Sequence, residues 1–501
     1  MNHQRSRVGL AAGALAGALG TGTALALGGP IAPLLSAAGL ILPLLSLFAP
    51  AIVALLGVSV LYLNLPGIAV TVHGLPPILA GSAYALLLMP LLVRLLLRRE
   101  PALLDAPLLL IAAYLAAVLV SMFVSQDLTV AANWVANLAI EGLLVYFLLL
   151  NLFRTRASLT RLVDVVIVCG ALLSALTLYQ HVTHDYAQQF GGLAQRNLEY
   201  GTGEDAQLDA REATRDPDEM RVADRAGGPI GGPNRYAQIL ICLLPLIYFR
   251  MRSQGSLARQ LPYAAAGGAA LAAVFLTFSR GGFVGLAALV ALATLIGFLR
   301  ARTVAVLAGG AALAVILWAP GYAMRLGTVA TIPGTVYEGR TTETDGAIRG
   351  RMTEMMAALF VFLDHPIIGV GPGQYMPVYS QAYMNNPGAL RHITVERRAH
   401  SMYFELAAEN GMVGLGLFLA IVGLIQFRLW RAWRRWKRSR PDLAWLAGSF
   451  FLSISGYLLT AIFLQLAYQR YYWLLLGMAG VALQVLSAEA RRASPVESAP
   501  A

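Results

Sequence analysis

Apolar runs long enough to cross a bilayer recur along nearly the whole chain, separated by short polar segments. A helix that satisfies its own backbone inside roughly 30 Å of hydrocarbon needs about 17 to 25 such residues. On that rule the cores fall at 74–97, 106–124, 130–152, 158–181, 234–251, 261–279, 282–299, 303–319, 407–430, 444–466 and 470–487. Residues 8–28 are Gly- and Ala-rich and only weakly hydrophobic, and 31–64 reads as one long helix or two broken near Pro50. One helix or three over this stretch gives the same parity, so the total is 12 or 14, with 12 preferred. The opening MNHQRSR and its Gly/Ala run resemble a signal peptide, but a long hydrophobic stretch follows without a cleavage context, and the segment reads as retained. The two-residue alternation of an outer-membrane barrel is absent. The expected fold is therefore an all-α integral membrane protein.

Composition agrees with the pattern. Of 501 residues, 58% are hydrophobic and 13% charged, and the mean hydropathy is +0.65, which leaves too little polar surface to coat a soluble globule of this size. Cys169 and Cys242 both fall within apolar runs, so neither a disulfide framework nor a cysteine metal site is supported.

Charge sets the orientation. Arg94, Arg98 and Arg99, then Arg154, Arg156 and Arg161, then Arg250, Arg252 and Arg259, then Arg300 and Arg302, and the basic run 428–440 all fall on one face of this layout, which makes that face cytoplasmic. Insertion and anionic inner-leaflet lipid account for the net charge of +11 without any nucleic acid. The opposite face receives the loop 182–233, the turn Ser279–Gly282 and the loop 320–400.

Arginines on that outer face owe nothing to the insertion rule, yet Arg225, Arg280 and Arg351 sit close to predicted helix ends, with His400 nearby. A turn as short as SRGG fixes the Arg280 guanidinium at headgroup depth, and Gly281 and Gly282 permit close backbone reversal. A planar fork of donors at that depth suits a phosphate or diphosphate, although a lone snorkelling arginine would look the same. In RAGGPIGGPNRYA, residues 225–237, glycines and prolines make an exposed loop into a helix that Asn234 is placed to cap, where Arg225 or Arg235 could complete an anion site. Met352, Met355, Met356, Leu359, Phe360 and Leu363 recur at helical spacing, which predicts an amphipathic helix lying on the outer membrane surface. GVGPG at 369–373 lacks the spacing and βαβ context of a nucleotide loop and reads as a tight turn. His400 can act as a general base near neutral pH; Ser401 could cap the next helix, and Glu405 or Glu409, one and two turns on, could orient the ring.

Four blocks, R225-x-x-G228-x-x-x-x-P233-N234-x-x-A237, FSRGG at 278–282, G369-x-G371-x-G373 after Arg351, and H400-S-x9-G411-x-x-G414, occur in an order that resembles the O-antigen ligase and Wzy-type polymerase superfamily over roughly residues 225–420. The resemblance implies a GT-C-like glycosyltransferase of the bacterial inner membrane, working on the periplasmic face. Its donor would be a glycan on undecaprenyl diphosphate and its acceptor a glycan or lipid A-core hydroxyl, with no cofactor and no metal. Carried over by position, Arg225 and Arg280 would bind the diphosphate and His400 would activate the acceptor. Arg351, Arg235, Asn234, Ser401 and Tyr403 are the further substrate-binding candidates. The chain then divides into N-terminal helices (1–181), a periplasmic loop (182–233), central helices (234–319), a large periplasmic loop with the amphipathic helix (320–400), C-terminal helices (401–487) and a cytoplasmic tail (488–501). The long polar stretch 185–224 leaves the acceptor open. Ligase, favoured slightly, and polymerase share the donor chemistry and stay as alternatives. A transporter is the rival of another class, with Glu141 and Asp164 as intramembrane charges, but no internal repeat supports it.

Overall fold

Inside a bilayer a helix satisfies its backbone within its own segment, and the apolar runs become helices accordingly. The computed structural model describes residues 45–76, 81–196, 225–302, 304–305, 346–385, 393, 395–464 and 469–493. Its helices are α1 (Pro50–Tyr62) and α2 (Leu65–Thr71), α3 (Ser82–Leu97), α4 (Ala106–Met122), α5 (Leu128–Leu152) and α6 (Arg156–Thr183). After a two-stranded ribbon come α7 (Pro233–Arg252), α8 (Leu257–Leu276) and α9 (Arg280–Leu295). Then follow α10 (Gly346–Asp364), α11 (Met402–Trp436), α12 (Pro441–Thr460) and α13 (Gln469–Ala493). Among the described residues, α5, α6, α11, α12 and α13 are long and apolar enough to cross a membrane, and the bent pair α1–α2 makes a sixth. The expected span 8–28, residues 31–44 of the 31–64 stretch and most of 303–319 lie outside the described residues.

Local chemistry fixes the helix starts. Asp105 accepts from the Leu108 N–H (2.9 Å), Asp127 from Thr129 and Val130 (2.8 and 3.0 Å), and Thr155 forms a reciprocal cap with Ser158, each satisfying donors that a helix start leaves open. Of the two readings of 31–64 the broken one holds, with an interruption at Ala49 ahead of Pro50, and a further break follows at Asn64, whose φ of 56° goes with a 47° bend between α1 and α2; the core expected at 74–97 is non-helical at 74–76.

Contacts between helix ends sort the charged groups. At one end Arg156 Nη1 meets Asp442 Oδ2 (2.8 Å) across the starts of α6 and α12. Arg250, at the end of α7, clamps Asp164 with bonds of 2.6 and 3.0 Å, and Tyr263 donates to the same carboxylate (3.0 Å). Trp445 packs on Phe298 and Tyr248 with centroids 4.5 and 5.3 Å apart. The arginine-rich segments therefore gather where the charge pattern put them. Glu141, which falls in the widened π turn Leu138–Leu144, is held by Arg470 Nε (3.0 Å), and Arg470 Nη1 also reaches Asn64 Oδ1 (2.8 Å). Both suspected intramembrane charges are thus taken up in ion pairs.

α7 and α12 form the centre of the bundle: every residue from Arg235 to Leu243 is buried, as is most of α12. α10 is helical as its spacing predicts. Its small face, Ala357, Ala358 and Val361, is buried against the protein, while Met356, Phe360 and Leu363 of the apolar stripe are exposed.

Candidate functional site

At the end of the bundle away from the arginine-rich one, a short ribbon sets the first arginine. Gln195–Arg196 pairs antiparallel with Ala226–Gly228, which anchors the backbone next to Arg225. Gly228 has φ of 61°, and an added Cβ there would strike the Tyr236 ring. Arg225 Nε donates to the Thr277 carbonyl at the end of α8 (2.9 Å), and Nη2 donates to Asn234 Oδ1 (3.0 Å). The same Asn234 oxygen accepts from Ser279 Oγ (2.7 Å), and Ser279 Oγ in turn accepts from the Gly282 N–H (3.0 Å) as the N-cap of α9. Arg280 is the first residue of that helix, so one amide oxygen ties the Arg225 loop to the turn carrying Arg280.

Two sequence readings change here. Asn234 does not cap α7: Gly232 is the N-cap and Pro233, with its preset φ, takes the first helical position, which leaves the Asn234 side chain to Arg225 and Ser279. The reversal before α9 is made at Phe278 (φ 48°), and the glycines lie in the first turn of the helix, where a Cβ added to Gly282 would lie 2.8 Å from that of Ala237. Arg235 is 3% exposed, inside the bundle beside Tyr457.

The second cluster is built on α10 and the segment before α11. His400 adopts φ of 47°, a conformation costing a non-glycine residue about 1–3 kcal/mol and therefore held by its surroundings. Its Nδ1 lies 2.8 Å from Glu354 Oε2 and 3.2 Å from the Arg398 carbonyl oxygen. Both neighbours are acceptors, so the ring proton of neutral His400 belongs on Nδ1 and Nε2 carries the lone pair. The ring is about a quarter exposed, at 26%, against 3% for Glu354. Burial opposes ionisation of Glu354, but His400, Arg397 and Arg351 outweigh it and hold the carboxyl below the usual carboxylate range.

Glu405 and Glu409 are not the ring's partners. His400 precedes the helix start, so the facial repeat of α11 does not extend to it. Glu405 instead binds Arg398 and the Ala399 N–H (3.2 Å), and the buried Glu409 accepts from the Gly373 and Tyr375 N–H groups. Ser401 stands at the N-cap of α11, but its hydroxyl makes no cap bond and it is 1% exposed. Tyr403 Oη donates to the Leu458 carbonyl (2.9 Å). Arg351, half-buried one turn before Glu354, belongs to the same cluster. Glu354 was not among the candidates read from sequence. Its signal is there: it is the one carboxylate between Gly346 and Leu363, three, four and seven residues ahead of the buried Ala357, Ala358 and Val361.

The end of α12 brings the clusters together. Met402 N–H donates to the Ala461 carbonyl (3.0 Å), Gln238 Nε2 of α7 donates to Thr460 Oγ1 (2.9 Å), and a Cβ on Gly281 would lie 3.6 Å from that of Phe463. The Arg225–Asn234–Arg280 cluster and the His400–Glu354 cluster therefore flank one helix terminus. The glycine turn predicted at 369–373 supports the second cluster: Val370 and Gly371 N–H groups donate to the Ala408 and Glu409 carbonyls (3.0 and 2.9 Å), while the Met412 N–H donates to the Pro366 carbonyl (2.7 Å). This docking needs α11 opened at Gly411, whose φ and ψ are 62° and −165°. Among the described residues, no group of three or more His, Cys, Asp or Glu side chains could hold a metal ion.

Fold and site define a multi-pass helical membrane protein with guanidinium and imidazole groups at one end of the bundle. Residues 265–419 match the family model described as O-antigen ligase, and the chain carries a domain of that O-antigen ligase and Wzy-type superfamily. The match includes Arg280, Arg351, Glu354, His400 and Gly411. It implies glycan transfer of the ligase or polymerase type, with lipid-linked glycan substrates. No curated protein matches the chain.

Proposed function

We propose that this protein transfers a glycan from undecaprenyl diphosphate to an acceptor hydroxyl at the periplasmic face of a bacterial inner membrane, as an O-antigen ligase whose acceptor is lipid A-core. A GT-C-like bundle of about 12 helices would carry the site. The observation that carries the reading is the pairing of a basic Nε2 on His400 with an arginine cluster across one helix terminus. Nε2 takes the proton of the acceptor hydroxyl, whose oxygen attacks the anomeric carbon. The bond from that carbon to the diphosphate oxygen breaks, and the diphosphate leaves with the electron pair, its charge met by Arg225 and Arg280. The proton on the imidazolium then passes to the leaving group or to solvent. A placed base contributes roughly 10² to 10⁴ in rate, and each charge-assisted bond to the diphosphate about 1.5–3 kcal/mol. Arg351, Arg235, Ser401 and Tyr403 are the remaining substrate-binding candidates.

The test uses detergent-solubilised membranes of cells lacking the gene, which hold both substrates. Added protein should restore transfer, and His400→Ala and Arg280→Ala should each abolish it; full transfer by either variant sinks the assignment. In the deletion strain, loss of long glycan from lipid A-core with chain length intact supports ligation, whereas accumulation of single repeat units identifies a polymerase instead. Cysteines placed at 225, 280 and 400 should label from the periplasm, and labelling from the cytosol overturns the orientation.

A further inference from the structure

The base read above is gripped by a carboxylate from another element, 46 residues earlier in the chain. We propose that Glu354 is a positioning residue for glycan transfer: lying against His400 Nδ1 as the counter-ion of the ring, it keeps Nε2 facing the acceptor hydroxyl and stabilises the imidazolium formed when that proton is taken. This rests on His400 being the base.

Glu354 Oε2 lies 2.8 Å from His400 Nδ1 as an ion pair, while the aligned ring hydrogen bond goes to the Arg398 carbonyl (3.2 Å), and Oε1 faces Arg397 Nε at 3.9 Å. Its backbone carbonyl accepts from Tyr375 Oη (2.9 Å), which locks this turn of α10 to the segment after the glycine turn. The charged and titratable groups facing it are Arg351 from its own helix, Arg397 and His400 from the segment before α11, and Tyr375. Glu405, on α11, is occupied by Arg398. Among the described residues Glu354 is the carboxylate paired with His400, and it is 3% exposed, where a charge pair is weakly screened.

A purely structural ion pair would fit the same distances, so the test must separate the two roles. An opposite charge within about 4–6 Å shifts a titration by roughly 1–3 pH units. Glu354→Gln removes the charge at nearly constant shape. The acid limb of its transfer rate should move to lower pH by at least about 1 unit, because the imidazolium loses its counter-ion. The plateau rate should fall on the order of 10²-fold. Glu354→Asp keeps the charge one methylene further away; it should retain the original acid limb and recover part of the rate. Thermal unfolding in detergent confirms that each variant is folded before the rates are compared. An unmoved limb in Glu354→Gln, or a loss in Glu354→Asp equal to that in Glu354→Gln, overturns the proposal. His400→Ala separates the two levels: transfer surviving that change removes the base itself, whereas an inactive His400→Ala beside an unmoved limb in Glu354→Gln removes only the positioning role.

Discussion

Asn234 offers the sharpest perturbation of the arginine cluster, because one amide oxygen serves two donors. It accepts from Arg225 Nη2 at 3.0 Å and from Ser279 Oγ at 2.7 Å. Removing it in Asn234→Ala deletes one bond to a charged group, about 1.5–3 kcal/mol, and one neutral bond, about 0.5–1.5 kcal/mol. Arg225 keeps the Thr277 carbonyl and Ser279 keeps the Gly282 N–H, so only part of that sum is lost. A loss of about 1.4–2.8 kcal/mol in transition-state binding is a 10- to 100-fold fall in kcat/KM. Asn234→Asp separates packing from charge. It retains an acceptor for both donors, so thermal stability should match or exceed that of the native protein. The new carboxylate, however, neutralises the Arg225 guanidinium and repels a diphosphate, and at about 4 Å such a charge pair is worth roughly 4 kcal/mol at an effective dielectric of 20. Donor KM should therefore rise at least 10-fold, in a variant that unfolds no earlier than wild type. The assay is transfer in solubilised membranes at varied donor, alongside thermal unfolding in the same detergent. A native donor KM in Asn234→Asp would refute the assignment of Arg225 to the leaving group.

Two further outcomes test the second cluster. In Gly411→Ala the side chain would overlap the Ile367 carbonyl at a φ and ψ that only glycine adopts readily, so strain of about 1–3 kcal/mol adds to the displaced bonds around 366–371; lower thermal stability and faster proteolysis at that turn are expected, and a variant indistinguishable from wild type in both would show that the docking is not needed. Acid should loosen α10 through Glu354. Its folded carboxyl titrates below the ordinary value of 4.5, so the unfolded chain binds the proton first; the stabilisation is present above that value and is lost as pH falls through the folded one. Hydrogen exchange in α10 should accelerate below about pH 4.5 in the native protein and show no such dependence in Glu354→Gln, and equal acceleration in both would locate the acid sensitivity elsewhere.

What the sequence disclosed and what it hid divide along a physical line. Hydropathy reports which segments leave water, and it gave α5, α6, α11, α12 and α13 close to their observed limits; charge reports insertion, and it sorted Arg156, Arg250 and the basic end of α11 to one side. The turn before Arg280, the helix at 346–364 and the glycine turn at 369–373 were also readable, because each depends on neighbours in the chain. Contacts between distant segments left weaker traces. Nothing in RAGGPIGGPNRYA distinguishes an Asn that caps its own helix from one that ties Arg225 to Ser279, since both uses require only an amide oxygen at a helix start. The ribbon of Gln195–Arg196 with Ala226–Gly228 is too short to carry a period. α11 reads as unbroken through Gly411, since one residue with reversed φ hardly alters the apolar spacing on either side. His400 was found by its chemistry, but its partner was sought along α11, where helical spacing is informative, and the structure supplies it from α10. A carboxylate on the alanine face of α10 has to be compensated when that face is buried, and besides Arg351 of the same helix the compensating groups, His400 and Arg397, come from the segment that packs there. Reading Glu354 from the sequence therefore means asking of α10 which charge its small-residue face obliges a neighbour to bring, a question that periodicity alone does not pose.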